Sequence, residues 1–137
     1  PLARAILQHC FDNGLQVVVA TNPVFPRPVV EARLRWGRLD DFPFDLVTSY
    51  ENSRYCKPHR QYFNDILHVL GLKPRQAIMV GNDTEYDLPA QQAGLLTFLL
   101  DTSLIDRHQR ARHADFQGSH RELLELVRCI AANRRNN

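Results

Sequence analysis

The sequence predicts an α/β fold of three layers, α/β/α, in which helices cover both faces of a mainly parallel sheet. Two observations carry this. Short apolar runs rich in β-branched residues alternate with stretches of helical periodicity, in the order α-β-α-β-α-β-α-β-α. Strands separated by helices must cross over between neighbours, which implies parallel pairing and right-handed connections. Residues 1–137 are read as a single such core, a length that suffices to bury one.

Residues 2–13 place Leu2, Ile6, Leu7, Cys10 and Phe11 on one helical face, and Asn13-Gly14 stops that helix. Residues 15–20 are nearly continuously apolar, as in a strand buried on both faces. They end in Thr21-Asn22-Pro23. Pro23, Pro26 and Pro28 exclude continuous helix there, and Pro28 suits the first turn of a helix from 29 to about 36. Residues 46–49 form a second short strand, followed by a polar loop that Lys57-Pro58 closes. A helix over 60–70 buries Phe63, Ile66, Leu67 and Leu70 and is capped by Gly71. A third strand, 77–80, leads to Gly81-Asn82-Asp83-Thr84-Glu85-Tyr86-Asp87, and a short helix over 87–93 ends at Gly94. Residues 97–100 are a fourth strand. Residues 102–117 are polar and include the basic cluster Arg107 to His113, which reads as a solvated loop or, less simply, as a site for an acidic partner. Ser119 with Glu122 forms a capping box for the last helix, which runs to about 133 before a fraying tail.

Composition narrows the function classes. Hydrophobic residues make up 44% and charged residues 23%, ordinary for a globular chain. A net charge of +2 is too small to argue for nucleic acid, and no apolar run reaches the ~20 residues of a membrane helix. Cys10, Cys56 and Cys129 are widely spaced and lack a CxxC pair, which argues against a zinc site and fits a reducing cytoplasm.

The chemistry concentrates at strand ends. Parallel strands present their C-terminal ends on one rim, where open α/β sheets bind ligands. Thr21 and Asn22 follow the first strand, Lys57 follows the second, and Asp83 and Asp87 follow the third. A hydroxyl, an amide, an ammonium and two carboxylates are the groups needed around a phosphate and a metal. Two hard oxygen ligands suit Mg²⁺, which keeps several waters and uses one or two protein carboxylates. Taken singly, the same residues also fit a turn, a solvated lysine and a helix N-terminus that favours Asp.

Read together, these segments resemble the haloacid dehalogenase-like (HAD-like) hydrolase superfamily over about residues 1–101. Residues 17–22 (Val-Val-Val-Ala-Thr-Asn) look like its second motif, residues 56–63, around Lys57-Pro58, like its third, and residues 80–87 like its fourth. The resemblance implies a Rossmann-like core and a Mg²⁺-dependent phosphatase acting on a small phosphorylated substrate through an aspartyl-phosphate. Thr21, with the backbone of Asn22, would bind the transferring phosphoryl group. Lys57 would hold nucleophile and phosphate charges together. Asp83 would bind Mg²⁺, and Asp87 would bind the metal or its water, or orient Lys57. Asn82 occupies a place where some members carry the metal acid, so two registers are open.

One departure is large. The superfamily's first motif, an Asp-x-Asp ending an N-terminal strand and supplying the nucleophile, has no counterpart. Asp40-Asp41 follows a helix, and Asp101 ends the last strand without a paired Asp. The expectation is that this strand, with any cap, lies upstream of Pro1, or that a partner chain fills its central slot. Two alternatives stand beside the phosphatase: a metal-independent dehalogenase on the same scaffold, and a non-catalytic α/β interaction module.

Overall fold

In the computed structural model, which describes residues 2–109 and 113–136, every strand pairing is parallel. Helical segments separate the strands as far as Leu96–Leu100, as in an α/β Rossmann-like fold. The chain forms two compact units. One takes in the chain up to Arg54 and the stretch from Arg121 onward; the other is Tyr55–His120.

The first unit contains α1 (Leu2–Asp12), β1 (Val18–Val19), α2 (Arg27–Trp36), β2 (Leu46–Val47) and all but the first residue of α4 (His120–Arg135). Its core gathers Ile6, Val30, Phe42, Leu123, Leu124, Val127 and Ala131, with Phe11 stacked on Phe42 at 5.7 Å. Paired strands here are shorter than the apolar runs, because only Val18 and Val19 meet partners, Leu46 and Val47. The N-terminus of α2 begins at Arg27, two residues earlier than its proline pattern predicts. The Glu51 carboxylate accepts the Arg27 N–H at 2.9 Å and so supplies the missing cap. α4 continues to Arg135, beyond the predicted end, and Arg134 donates to the Gly14 carbonyl at 3.1 Å.

The second unit contains α3 (Arg60–Leu70), β3 (Ile78–Gly81), β4 (Leu96–Leu100) and β5 (Phe116–Gly118), ordered β3-β4-β5. Tyr62 and Phe63 of α3 are its most deeply buried large side chains and meet edge to face at 5.1 Å. Two elements differ from expectation. Leu88–Ala93 is a 3-10 segment rather than an α-helix; Pro89 near its start has no N–H to give. Phe116–Gly118, at the end of the stretch read as polar loop, is a strand. Its register is set by Asp115, whose carboxylate accepts from both the N–H and the hydroxyl of buried Thr97, at 2.9 and 3.1 Å. A polar clamp of this kind leaves no apolar alternation to read.

Gly94 ends the 3-10 segment at φ +90°, and a Cβ there would lie 2.9 Å from Pro74 Cβ. Gly94→Ala should therefore cost about 2 kcal/mol, from left-handed strain plus the clash. Thermal unfolding should show a midpoint lower by roughly 4–8 °C. An unchanged midpoint would mean the turn relaxes freely. No described helix is long and apolar enough to cross a membrane.

Candidate active site

The site in the second unit is built where β3 runs out. β3 ends at Gly81, and the next residues turn along the loop that follows β4. The Ile105 N–H donates to the Asn82 carbonyl at 2.8 Å, and the Thr84 N–H donates to the Ile105 carbonyl at 3.0 Å. The Asn82 side-chain amide donates to the Ser103 carbonyl at 2.9 Å, and the Thr84 hydroxyl to Asp106 at 3.0 Å. The two loops are thus laced together by backbone and side-chain bonds, with Asp83 held between them.

Asp83, Thr84 and Asp87 are all buried. Oδ1 of Asp83 accepts the Glu85 N–H at 2.9 Å and the Tyr86 N–H at 3.1 Å, which fixes the carboxylate orientation. Oδ2 accepts only from Arg107 among the described residues, at 2.9 Å. Asp87 folds back against β3. Its Oδ2 accepts the Asp83 N–H at 3.1 Å, and its Oδ1 accepts from Lys57 Nζ at 2.7 Å. The Lys57 and Asp87 side chains are 9% and 8% exposed, so this is a charge pair largely withdrawn from water. Gly81 makes the arrangement fit: an added Cβ would lie 2.1 Å from Asp87 Oδ2.

Lys57, Asp83 and Asp87 are therefore brought together. Asp87 is paired with Lys57. Asn82 points its amide at a carbonyl, and Asp83 is the buried acid. Thr21 and Asn22 belong to the first unit, just beyond β1. The Thr21 carbonyl accepts the Thr48 hydroxyl at 2.6 Å, and the Asn22 carbonyl accepts the Val24 N–H at 2.8 Å.

Sequence reasoning missed Arg107, which it placed in a solvated basic loop. Its Nη1 donates to both oxygens of Asp83, each at 2.9 Å, and to Glu85 at 3.3 Å, and its guanidinium lies 4.9 Å from the Tyr86 ring centre. The hydrogen bond to Asp83, chiefly, raises its pKa above the ordinary arginine value. Arg110, Ala111 and Arg112 of the same cluster lie outside the described residues.

The donor set suits a small hard cation at one point. Asp83 and Asp87 each offer a nearly buried carboxylate; Asp83 Oδ2 accepts from Arg107, and the Asp87 oxygens accept from Lys57 Nζ and the Asp83 N–H. The described residues contain no cluster of three or more such ligands, so protein ligation would rest on these one or two carboxylates, with water and phosphate oxygens completing the shell.

The chain is similar to a pyrophosphatase PpaX of Bacillus cereus (strain AH820), 32% identical over 101 residues, which is 74% of this chain and 45% of that protein. It thus spans about half the length of the curated relatives it matches. Its fold resembles a predicted phosphoglycolate phosphatase from Haemophilus somnus 129PT, with a TM-score of 0.79 at 22% identity over 93% of this chain and 56% of that one. It also resembles the HAD-hydrolase YfnB from Bacillus subtilis, described as bound to magnesium, with a TM-score of 0.71 at 20% identity over 91% and 54% of the two chains. The family described as haloacid dehalogenase-like hydrolase matches residues 1–94, and the chain belongs to that family.

Proposed function

We propose that this chain is part of the catalytic core of a Mg²⁺-dependent phosphohydrolase that cleaves a small phosphorylated substrate through an aspartyl-phosphate. The observation that carries the reading is the withdrawn Lys57–Asp87 pair tied through the Asp83 N–H to a buried acid at the C-terminal end of a parallel strand. A pair of this kind aims an ammonium without leaving it solvated. Asp87 orients Lys57, and Lys57 would hold the phosphoryl oxygens and the nucleophilic carboxylate together. Asp83 would hold the cation through Oδ2. A bound Mg²⁺ would neutralise charge building on the phosphoryl oxygens. Thr21, with the backbone of Asn22, is proposed to bind the phosphoryl group. The curated relatives are named pyrophosphatases, which supports a phosphate-bearing substrate.

The nucleophile is proposed to come from an Asp-x-Asp strand in residues upstream of Pro1 or from a partner chain. Among the described residues β1 pairs only with β2, and β3 pairs only with β4, so each leaves an edge for an added strand. The cytoplasm is the proposed compartment, on the wide cysteine spacing.

The test uses the full-length protein and a phosphate-release assay. Turnover should require Mg²⁺, vanish with EDTA and return on adding Mg²⁺. Turnover unaffected by EDTA would favour the dehalogenase reading. No turnover on any phosphorylated substrate, with Mg²⁺ present, would favour the interaction module.

A further inference from the structure

We propose that Arg107 is a positioning residue that shares Asp83 with the catalytic cation: it holds the carboxylate when no cation is bound and gives up Oδ2 when one binds. The inference rests on the reading of Asp83 as the cation ligand.

Asp83 is buried, and a buried carboxylate without a partner is costly. Oδ1 accepts from two backbone amides and also from Arg107 Nη1, at 2.9 Å. Oδ2 has only Arg107 among the described residues, at 2.9 Å. A cation arriving at Oδ2 must therefore displace or push aside the Arg107 guanidinium. The placement of Arg107 is built, not incidental. Ile105, two residues earlier, is locked to Asn82 and Thr84 by backbone bonds, and neighbouring Asp106 accepts from the Thr84 hydroxyl. The guanidinium also has somewhere to go. Glu85 lies 3.3 Å from Nη1, and the Tyr86 ring centre is 4.9 Å away. Both can keep a half-exposed arginine beside the site after it releases Asp83. Nη1 bonds Glu85 while it bonds Asp83, so release of Asp83 would leave the positive charge on Glu85.

The consequence runs opposite to that of an ordinary supporting residue. Removing Arg107 takes away a competitor and a like charge, so Mg²⁺ should bind more tightly. In the full-length protein, titrated with Mg²⁺ by calorimetry, Arg107→Gln should lower the Mg²⁺ Kd roughly three- to tenfold, and Arg107→Lys should fall between it and the unchanged protein. Asp83→Asn should abolish measurable Mg²⁺ binding. If Asp83→Asn abolishes binding while Arg107→Gln leaves the Kd unchanged or weakens it, the exchange is wrong and the metal reading stands. If Asp83→Asn binds Mg²⁺ normally, both are wrong. A second readout needs no folded Gln variant. The Arg107 guanidinium NMR signals, assigned with Arg107→Lys, should shift along the Mg²⁺ binding curve. Signals that stay still while Mg²⁺ saturates the protein would overturn the proposal.

Discussion

Lys57→Met should remove phosphatase activity from the full-length protein and destabilise it as well. Methionine keeps much of the lysine stem but loses the ammonium that donates to Asp87 at 2.7 Å. Asp87, 8% exposed, would be left as a nearly buried carboxylate with, among the described residues, only the Asp83 N–H to offset it. Breaking a buried pair from one side costs about 3–5 kcal/mol, which should lower the unfolding midpoint by roughly 6–20 °C. Activity should fall on the order of 10²–10³-fold, the loss expected when one preorganised donor to developing charge is removed. The two effects separate in the double variant Lys57→Met/Asp87→Asn, which has no unpaired charge. Its midpoint should recover most of the loss while its activity stays down. Recovery of activity together with stability would show that Lys57 is only structural, and full activity in Lys57→Met would eliminate this site.

The reach of the sequence ends at identifiable places. β3 and its acids are legible because an apolar run ends abruptly in Gly81-Asn82-Asp83, and because parallel strands with helical crossovers put such ends on one rim. Lys57 is legible as a strand-end cation, and orienting it is one of the roles the resemblance offers Asp87. The fold-back of Asp87 onto Gly81 pairs it with the lysine, while Asp83 faces Arg107. β5 is hidden because its register depends on Asp115 clasping Thr97, a contact 18 residues apart with no periodic signature. Arg107 carried a signal that could have been used. β4 is the parallel neighbour of β3, so the loop after β4 must share the rim with Asp83. A charged residue there should be weighed as part of the site before it is assigned to solvent. Thr21 and Asn22 lie just beyond β1, as their place after the first apolar run predicts.

Gly81→Ala should be nearly as damaging as the loss of Lys57, although it changes no polar group. The new Cβ would lie 2.1 Å from Asp87 Oδ2, 2.4 Å from its Cγ and 2.6 Å from its Cβ. A flexible side chain could swing away from one such contact; Asp87 cannot easily do so. Its two oxygens are tied to Lys57 Nζ and the Asp83 N–H, and its own Cβ is among the clashing atoms, so the start of the 3-10 segment must move with it. Overpacking and strain on the charge pair together should cost about 2–4 kcal/mol, lowering the midpoint by roughly 4–16 °C. The shift of Asp87 drags Lys57 with it, and misplacement of a catalytic group by about 1 Å can cost on the order of 10² in rate. Gly94→Ala is the control. It strains a turn at the far end of the same 3-10 segment, so it should lower the midpoint while leaving the rate per folded molecule close to that of the unchanged protein. If Gly81→Ala instead behaves like Gly94→Ala, losing stability but not rate, then Asp87 does not position Lys57 for catalysis. If it loses neither, Asp87 does not pack against the end of β3 at all.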